Sequence, residues 1–548
     1  MACHGGEILV KQLQRLGVRR VFSVPGESFL AALDGLRDSG IANIVCRQEG
    51  GAAMMAEAYG KMTGQPGICF VTRGPGATNA SAGIHIARQD STPMVMFVGQ
   101  VARDHRDREA FQEVDYRAMF GGLAKWVAEV DQTERLPEYV ARAFSVAVSG
   151  RPGPVVLALP EDMLSARVDP PAIRAPLVEL APPHAGTAED VLDWLSRAER
   201  PLVVVGGPHW SPDAAQDLAT FAETQGLPVA LGFRRQDYLD NRHPCYAGDL
   251  NVGMNPALAD RVRSADALLV IGSRLGDIET RGYTLIDPAA PQCRICHVHS
   301  DAGEPGRVYQ PDLAVTADAV TFTRALARLP ACGRDWSDWT RAARADYEAW
   351  VAPQETPGEV KLEEVVLWLS DNLPEDAILT NGAGNYAAWL HRHFCFKRHG
   401  TQLAPTSGSM GYGFPAAVSA SLEHPGRSVV CFAGDGCFQM TLNEMSTAMQ
   451  HGATPIVIVV NNGRYGTIRM HQEKHYPGRV SGTALANPDF AALARAYGGH
   501  GAAVTATADF PAAFMQARDA GRLAVIELQV DADALSPTMR LSDVSQGT

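Results

Sequence analysis

Two runs of sequence decide how this chain folds: Ser428-Val-Val-Cys-Phe-Ala-Gly-Asp-Gly436 and, a helix-length further on, Pro455-Ile-Val-Ile-Val-Val-Asn-Asn462. The first is apolar up to Gly434-Asp435-Gly436 and reads as a buried strand that breaks at that turn. Phe438, Leu442, Met445 and Met449 then recur at helical spacing and give one apolar face. The second run is another buried strand, ending on the two asparagines. A strand–helix–strand unit of this kind has parallel strands. Asp435 and Asn462 are 27 positions apart, yet both stand where a parallel strand ends. They are therefore expected to meet at the carboxyl edge of the sheet, where open α/β folds bind ligands. One carboxylate and one amide oxygen make a hard-oxygen pair suited to Mg²⁺, with phosphate oxygens and water completing the octahedron. Gly436 lets the backbone approach those phosphates, and a helix beginning near Cys437 points free N–H groups at them. Either piece alone reads as an ordinary strand-ending turn; the two together, in this order and at this spacing, point to a metal–diphosphate site.

The same texture, short β-branched runs closed by Gly and followed by helical segments, occurs in three stretches and predicts parallel sheets flanked by helices. Strands are expected at Val21–Val24, Gly67–Thr72, Met94–Val98 and Val155–Leu159 in the first stretch, and at Leu202–Val205 and Ala267–Ile271 in the second. Between them Val168–Gly186 is too rich in proline for a helix or a central strand. The reading is an α/β chain of three domains, 1–167, 187–330 and 358–533, with the first and third forming the chemical pair.

The chain has 548 residues, more than one core serves, and 46% apolar with 20% charged residues is a globular composition. A net charge of −13 argues against a nucleic-acid partner. No signal peptide is expected from Met-Ala-Cys-His-Gly-Gly-Glu, and no apolar run reaches the roughly 20 residues of a membrane span. The ten cysteines are scattered rather than arranged as a framework, which suits a reduced cytoplasmic protein.

Gly434-Asp435-Gly436 through Asn461-Asn462 resembles the thiamine-diphosphate motif of the family that includes acetolactate synthase, pyruvate oxidase and benzoylformate decarboxylase. The resemblance implies Mg²⁺ ligation by Asp435, Asn462 and the backbone carbonyl of Arg464. Upstream, Arg47-Gln48-Glu49-Gly50-Gly51-Ala52-Ala53 precedes a helix, Met54–Thr63, and then Arg73-Gly-Pro-Gly-Ala-Thr-Asn79; this order resembles the family's pyrimidine-binding domain. By that resemblance Glu49 hydrogen-bonds the aminopyrimidine and favours the imino tautomer, which removes the thiazolium C2 proton. Pro75, Asn79 and the Gly408 carbonyl are then pyrimidine contacts, and Met410 holds the cofactor bent. Asn385, Tyr386, Gly436, Cys437 and Gly466 are implied to complete the cofactor site. Phe111-Gln112-Glu113-Val-Asp115 resembles a signature of the acetolactate synthase branch, with Gln112 beside the cofactor-bound intermediate. The family also implies a homodimer, or a homotetramer, with active sites at the dimer interface.

Three positions depart from that branch. Where its members carry an acceptor-binding Arg, after Ala267–Ile271, this chain has Ile278; the Lys of its Pro-Lys-Asp element is Glu161; its pocket-shaping Trp is His471. An isoleucine cannot replace a guanidinium fork for a carboxylate, and Arg281 or Arg469 are the candidates to supply the charge. The expected reaction is thiamine-diphosphate- and Mg²⁺-dependent ligation or lysis of a 2-keto acid. The alternatives are simple decarboxylation and, less favoured, a cofactor-binding protein without turnover. Some relatives hold FAD in the central domain, but Gly206-Gly207-Pro208 lacks the GxGxxG spacing, so FAD is the less favoured expectation. Cys293-Arg-Ile-Cys296-His-Val-His299 suggests zinc, yet as a strand it puts the two cysteines on opposite faces.

Overall fold

A computed structural model describes residues 2–169 and 181–545. Most of the proline-rich Val168–Gly186 segment lies outside the described residues. Three six-stranded sheets organise the chain, and every strand pair within them is parallel. The first contains β1 (Arg20–Ser23), β2 (Ala42–Val45), β3 (Gly67–Val71), β4 (Met94–Gln100), β5 (Trp126–Glu129) and β6 (Pro154–Pro160). The central sheet contains β7 (Pro201–Val205), β8 (Val229–Leu231), β9 (Tyr246–Asp249), β10 (Ala267–Ile271), β11 (Arg294–His299) and β12 (Leu313–Thr316). The third contains β13 (Ile378–Asn381), β14 (Gln402–Leu403), β15 (Val429–Gly434), β16 (Ile456–Asn461), β17 (His500–Val504) and β18 (Ala524–Gln529). The middle strands are continuous apolar runs because helices cover both faces.

The first and third sheets share one topology. Their orders are β2-β1-β3-β4-β6-β5 and β14-β13-β15-β16-β18-β17, each 2-1-3-4-6-5 counted from its own first strand. The order reverses between strands 1 and 3, and the crevice there is the ligand position of an open sheet. The predicted sites fall at these two places: Thr72–Asn79 follows β3, and Asp435 follows β15.

The helices that carry or adjoin the predicted site residues are α1 (Glu49–Thr63), α2 (Pro75–Asp90), α3 (Gly413–Glu423), α4 (Asp435–Gln439) and α5 (Gly466–His475). Two differ from the sequence expectation. α1 starts at Glu49 rather than Met54, because the Gln48 side chain accepts from Gly51 N at 3.1 Å and caps the turn. The helix expected after Gly436 is three pieces: α4 starts at Asp435, a 3₁₀ turn covers Leu442–Glu444 and a further helix covers Met445–His451. Their apolar face survives the breaks, with Phe438 and Met445 buried and Leu442 and Met449 packed against the same core.

That core is shared. One cluster holds Phe22, Met55, Val71 and Val98 of the first domain with Ile378, Phe414, Val418 and Val457 of the third. Every residue of α1 from Gly50 to Gly60 is buried, as expected of a helix that is apolar all round. Its one buried acid, Glu57, accepts from Thr92 Oγ1 at 2.6 Å and from Tyr412 of the third domain at 2.5 Å. Lys61 pairs with Glu57 at 3.3 Å and with Asp90, and Asp90 accepts from Thr406 N at 2.6 Å. Burial pushes the Glu57 carboxyl up; burial opposes ionisation of Asp90 too, but Lys61 and Arg235 outweigh it and hold that carboxyl low. This satisfied network fixes the first domain to the Thr406–Tyr412 segment that carries Gly408 and Met410.

Candidate active site

At the carboxyl edge of the third sheet, Asp435 is 4% exposed and its carboxylate is held in place by N–H donors. Gly436 N reaches Oδ1 at 2.8 Å, while Gly463 N at 2.9 Å and Asn487 Nδ2 at 2.7 Å reach Oδ2. A carboxylate offers about four acceptor positions, so Oδ1 keeps one open. No salt bridge to Asp435 is present among the described residues, and burial pushes its carboxyl above the ordinary range against the pull of those N–H groups. A buried carboxylate with no cationic partner is what a metal site requires. Asn462 stands beside it on the strand-ending turn, its Oδ1 accepting from Arg464 N at 3.1 Å and from no other donor among the described residues. The donor set of Asp435, Asn462 and the Arg464 backbone therefore fits Mg²⁺. Gly436 is required by packing: a Cβ there would stand 2.5 Å from the Tyr465 ring. Gly466 opens α5, and its Cβ would stand 3.2 Å from Asn462 Nδ2.

Asn487 and Tyr465 were not legible as site residues. Asn487 arrives from a loop outside the strand–helix–strand unit, donates to both Asp435 and Asn461 (2.8 Å), and accepts from Gln439 at 2.6 Å. It is the clamp that orients the candidate ligand. Asn461, the first of the paired asparagines, shares the Asn487 and Gly463 donors with Asp435 through its Oδ1 and donates to Glu527 at 2.7 Å.

Beneath this edge Tyr386 is buried. Its hydroxyl donates to Cys437 Sγ at 3.2 Å and accepts from Gly382 N at 3.1 Å. The Cys437 sulfur also accepts from Gly411 N at 3.1 Å, and burial pushes its thiol up, so it is a packed neutral group and no nucleophile. Asn385 is tied to α5 by Thr467 Oγ1, which donates to its Oδ1 at 2.9 Å. Met410 is half-buried against the third-domain core, and Gly408 has φ +68°, left-handed backbone that suits glycine.

In the first domain Glu49 and Asn79 form a pair, Asn79 Nδ2 donating to Glu49 Oε2 at 3.0 Å. Gly76 keeps the carboxylate accessible, since a Cβ there would stand 3.3 Å from Oε1. Pro75 is the first residue of α2 and is exposed. Gln112 has φ +65° and packs against Gly74, whose Cβ would meet it at 2.8 Å; Tyr116 accepts from Gly74 N at 2.9 Å and locks the same turn. Glu161 pairs with the buried Arg73 at 2.8 Å.

The turn before Glu49 is held by the third domain, with Arg47 N at 3.2 Å and Gln48 N at 3.0 Å donating to Glu444 Oε1. Among the described residues no hydrogen bond or salt bridge joins Glu49, Asn79 or Gln112 to Asp435, Asn462 or Met410. Neither candidate replacement for the acceptor-site arginine is free: Arg469 pairs with Glu473, and Arg281 donates to Met254 O at 3.0 Å. His471 is stacked with His475, ring centroids 6.2 Å apart. Ile278 lines a cleft where the central domain meets Gln89–Ser91 of the first domain and Thr406 of the third. Cys293 and Cys296 sit in different cores, on opposite faces of the central sheet.

Three parallel sheets, two of them sharing one strand order and each carrying a candidate site at its carboxyl edge, define a class, and comparison with known proteins identifies it. The descriptions "Thiamine pyrophosphate enzyme" N-terminal TPP binding, central and C-terminal TPP binding domain match residues 3–119, 188–326 and 382–528. The chain belongs to the thiamine pyrophosphate enzyme family. It is 33% identical to the acetolactate synthase isozyme 2 large subunit of Escherichia coli over 506 residues, 92% of this chain and 91% of that one. It is 32% identical to the acetolactate synthase large subunit of Corynebacterium glutamicum over 97% of this chain and 87% of that one. For the acetolactate synthase large subunit of Parasynechococcus marenigrum the figures are 33%, 91% and 83%. The protein is an enzyme of the acetolactate synthase-like branch, making or breaking carbon–carbon bonds with thiamine diphosphate.

Proposed function

We propose that the enzyme is a Mg²⁺-dependent carboligase or lyase acting on a 2-keto acid, with the cofactor held between the 1–167 and 358–533 domains of two subunits. The observation that carries this is the buried Asp435 carboxylate, clamped by N–H donors, without a cationic partner, beside Asn462 at a sheet edge. When bound, thiamine diphosphate supplies a carbon nucleophile for the keto carbonyl and accepts the electron pair released as CO₂ leaves. Asp435, Asn462 and the Arg464 carbonyl hold Mg²⁺ and through it the diphosphate. Pro75, Asn79, Asn385, Tyr386, Gly408, Met410, Gly436, Cys437 and Gly466 shape and orient the cofactor site. Glu49, oriented by Asn79, exchanges a proton with the aminopyrimidine nitrogen. Gln112, in its left-handed turn against Gly74, would contribute to the side of the site where the keto acid is held.

Exposed apolar groups near both half-sites, Phe111 at 73% and Ile468 at 53% exposure, support a second copy covering them. Ten cysteines without a disulfide support a cytoplasmic setting, and no helix among the described residues is long and apolar enough to cross a membrane. One observation favours the decarboxylase reading. With Ile278 in place of a guanidinium, both candidate replacements, Arg469 and Arg281, are engaged rather than open to the carboxylate of a second keto acid. Pyruvate turnover followed by product analysis separates the two. Acetolactate means ligation, acetaldehyde means protonation and release, and turnover of no keto acid in a broad screen ends both.

The clamp has its own expected effect. Asn487→Ala removes a donor that orients Asp435, and losses of that kind weaken metal affinity about 10–100-fold. Titration of the variant with Mg²⁺ in the presence of thiamine diphosphate measures it; unchanged affinity removes Asn487 from the site.

A further inference from the structure

The central sheet has the strand order of a dinucleotide-binding fold. Counted from its own first strand it runs 3-2-1-4-5-6, and the order reverses between β7 and β10. Ligands of such sheets lie at that reversal, with the diphosphate over a glycine turn at the strand ends. The glycines are present: Gly206, Gly232 and Gly272 follow β7, β8 and β10. Their shared space, however, is filled from within. Glu279 Oε2 accepts from Ser273 Oγ at 2.6 Å and from Gly276 N at 3.2 Å, and Oε1 accepts from Phe233 N at 3.2 Å. A Cβ on Gly232 would stand 2.3 Å from Glu279 Oε1, and one on Gly206 3.6 Å from it. The carboxylate thus lies over the ends of three neighbouring strands. It takes two backbone N–H groups and a hydroxyl, the donors a diphosphate would use there.

The crevice is closed in a second, independent way. Gly207 has φ +71° and its Cβ would stand 1.8 Å from Gly272 O, while a Cβ on Gly272 would stand 2.4 Å from Gly206 O. The two loops that flank a dinucleotide in this fold therefore touch backbone to backbone. Beside them is a cleft of about 140 Å³ bordered by Phe233, Arg235, Arg274 and Ile278 of the central domain, Asp90 of the first and Thr406 of the third, below the roughly 300 Å³ at which small-molecule pockets begin. Its arginines are engaged: Arg274 faces Glu304 at 3.4 Å and Arg235 donates to Asp90 O at 3.1 Å. A flavin dinucleotide does not fit these residues.

We propose that Glu279 is a built-in anion that takes the place of a nucleotide diphosphate, so that the central domain completes its fold without flavin or any other dinucleotide. This is independent of how the two thiamine-diphosphate half-sites work. The test uses holoenzyme with thiamine diphosphate and Mg²⁺ saturating, so that added diphosphate finds the third-domain site filled. Purified wild type is expected to show no flavin absorbance and to leave the fluorescence of added FAD unquenched. Inorganic diphosphate is expected to leave its melting temperature unchanged. Glu279→Ala should melt lower than wild type and regain about 2–4 °C on adding inorganic diphosphate. Glu279→Gln keeps one acceptor oxygen and should fold if the alanine variant does not, with a smaller regain. Flavin, NAD or ADP bound to the wild type, or no stabilisation of either variant by diphosphate, overturns the proposal.

Discussion

Calorimetric titration of Asp435→Ala with thiamine diphosphate and Mg²⁺ is expected to give no saturable binding, a loss beyond the roughly 100-fold typical of removing a ligand's supporting partner. The variant leaves three N–H donors facing each other around an empty centre, with no charge to hold a cation. The fold should survive, because Asp435 sits at the sheet edge and β15 is pinned by its register with β13 and β16; an unchanged melting temperature of the cofactor-free proteins checks this. Chelation of Mg²⁺ from the wild type should release the cofactor in the same way. Wild-type affinity in Asp435→Ala would refute the metal assignment.

Glu49→Gln is expected to bind the cofactor normally and to lose about 100- to 10,000-fold in turnover, the span of a lost proton-transfer group. Glutamine keeps the shape and the contact with Asn79 but cannot ionise. Exchange of the cofactor's C2 proton, followed by NMR, isolates the step, and a wild-type exchange rate removes Glu49 from it. The same variant tests the assembly. Mixed with Asp435→Ala under conditions that exchange subunits, it should restore about a quarter of wild-type activity, since half of the dimers then carry one intact site of two, if sites act independently. Proven exchange without recovery excludes a site shared between subunits.

The strands were readable to within a residue or two because buried parallel strands are continuous apolar runs, and the central ones here carry almost nothing else. Where they end was readable as well, since glycine and asparagine punctuate them, and this brought Asp435 and Asn462 to one edge on paper. Helix limits were less legible. The start of α1 depends on the Gln48 side chain capping its own turn, and the break after Gln439 interrupts an apolar spacing that suggests a single helix. Contacts between distant segments were invisible. Asn487 is an unremarkable loop residue until the fold brings it to Asp435, and Glu161 read as a lost lysine until Arg73 stood opposite it. Glu279 lay one residue from Ile278, in a segment read only for its missing arginine. No periodicity marks a carboxylate that folds back over three strand ends.

The sealing of α1 on every side sets a condition on how the chain is made. Its partners include α3 and the third sheet, and β6 ends at Pro160 while β13 begins only at Ile378. About 200 residues separate them, and a ribosome adds roughly 5–20 residues per second. For roughly 10–40 s, then, the newborn first domain presents the outer face of an oily helix to the cell, with Glu57 still lacking its Tyr412 partner. That interval is when a chaperone that holds exposed apolar surface has its opportunity, and when crowded overexpression turns most readily to inclusion bodies.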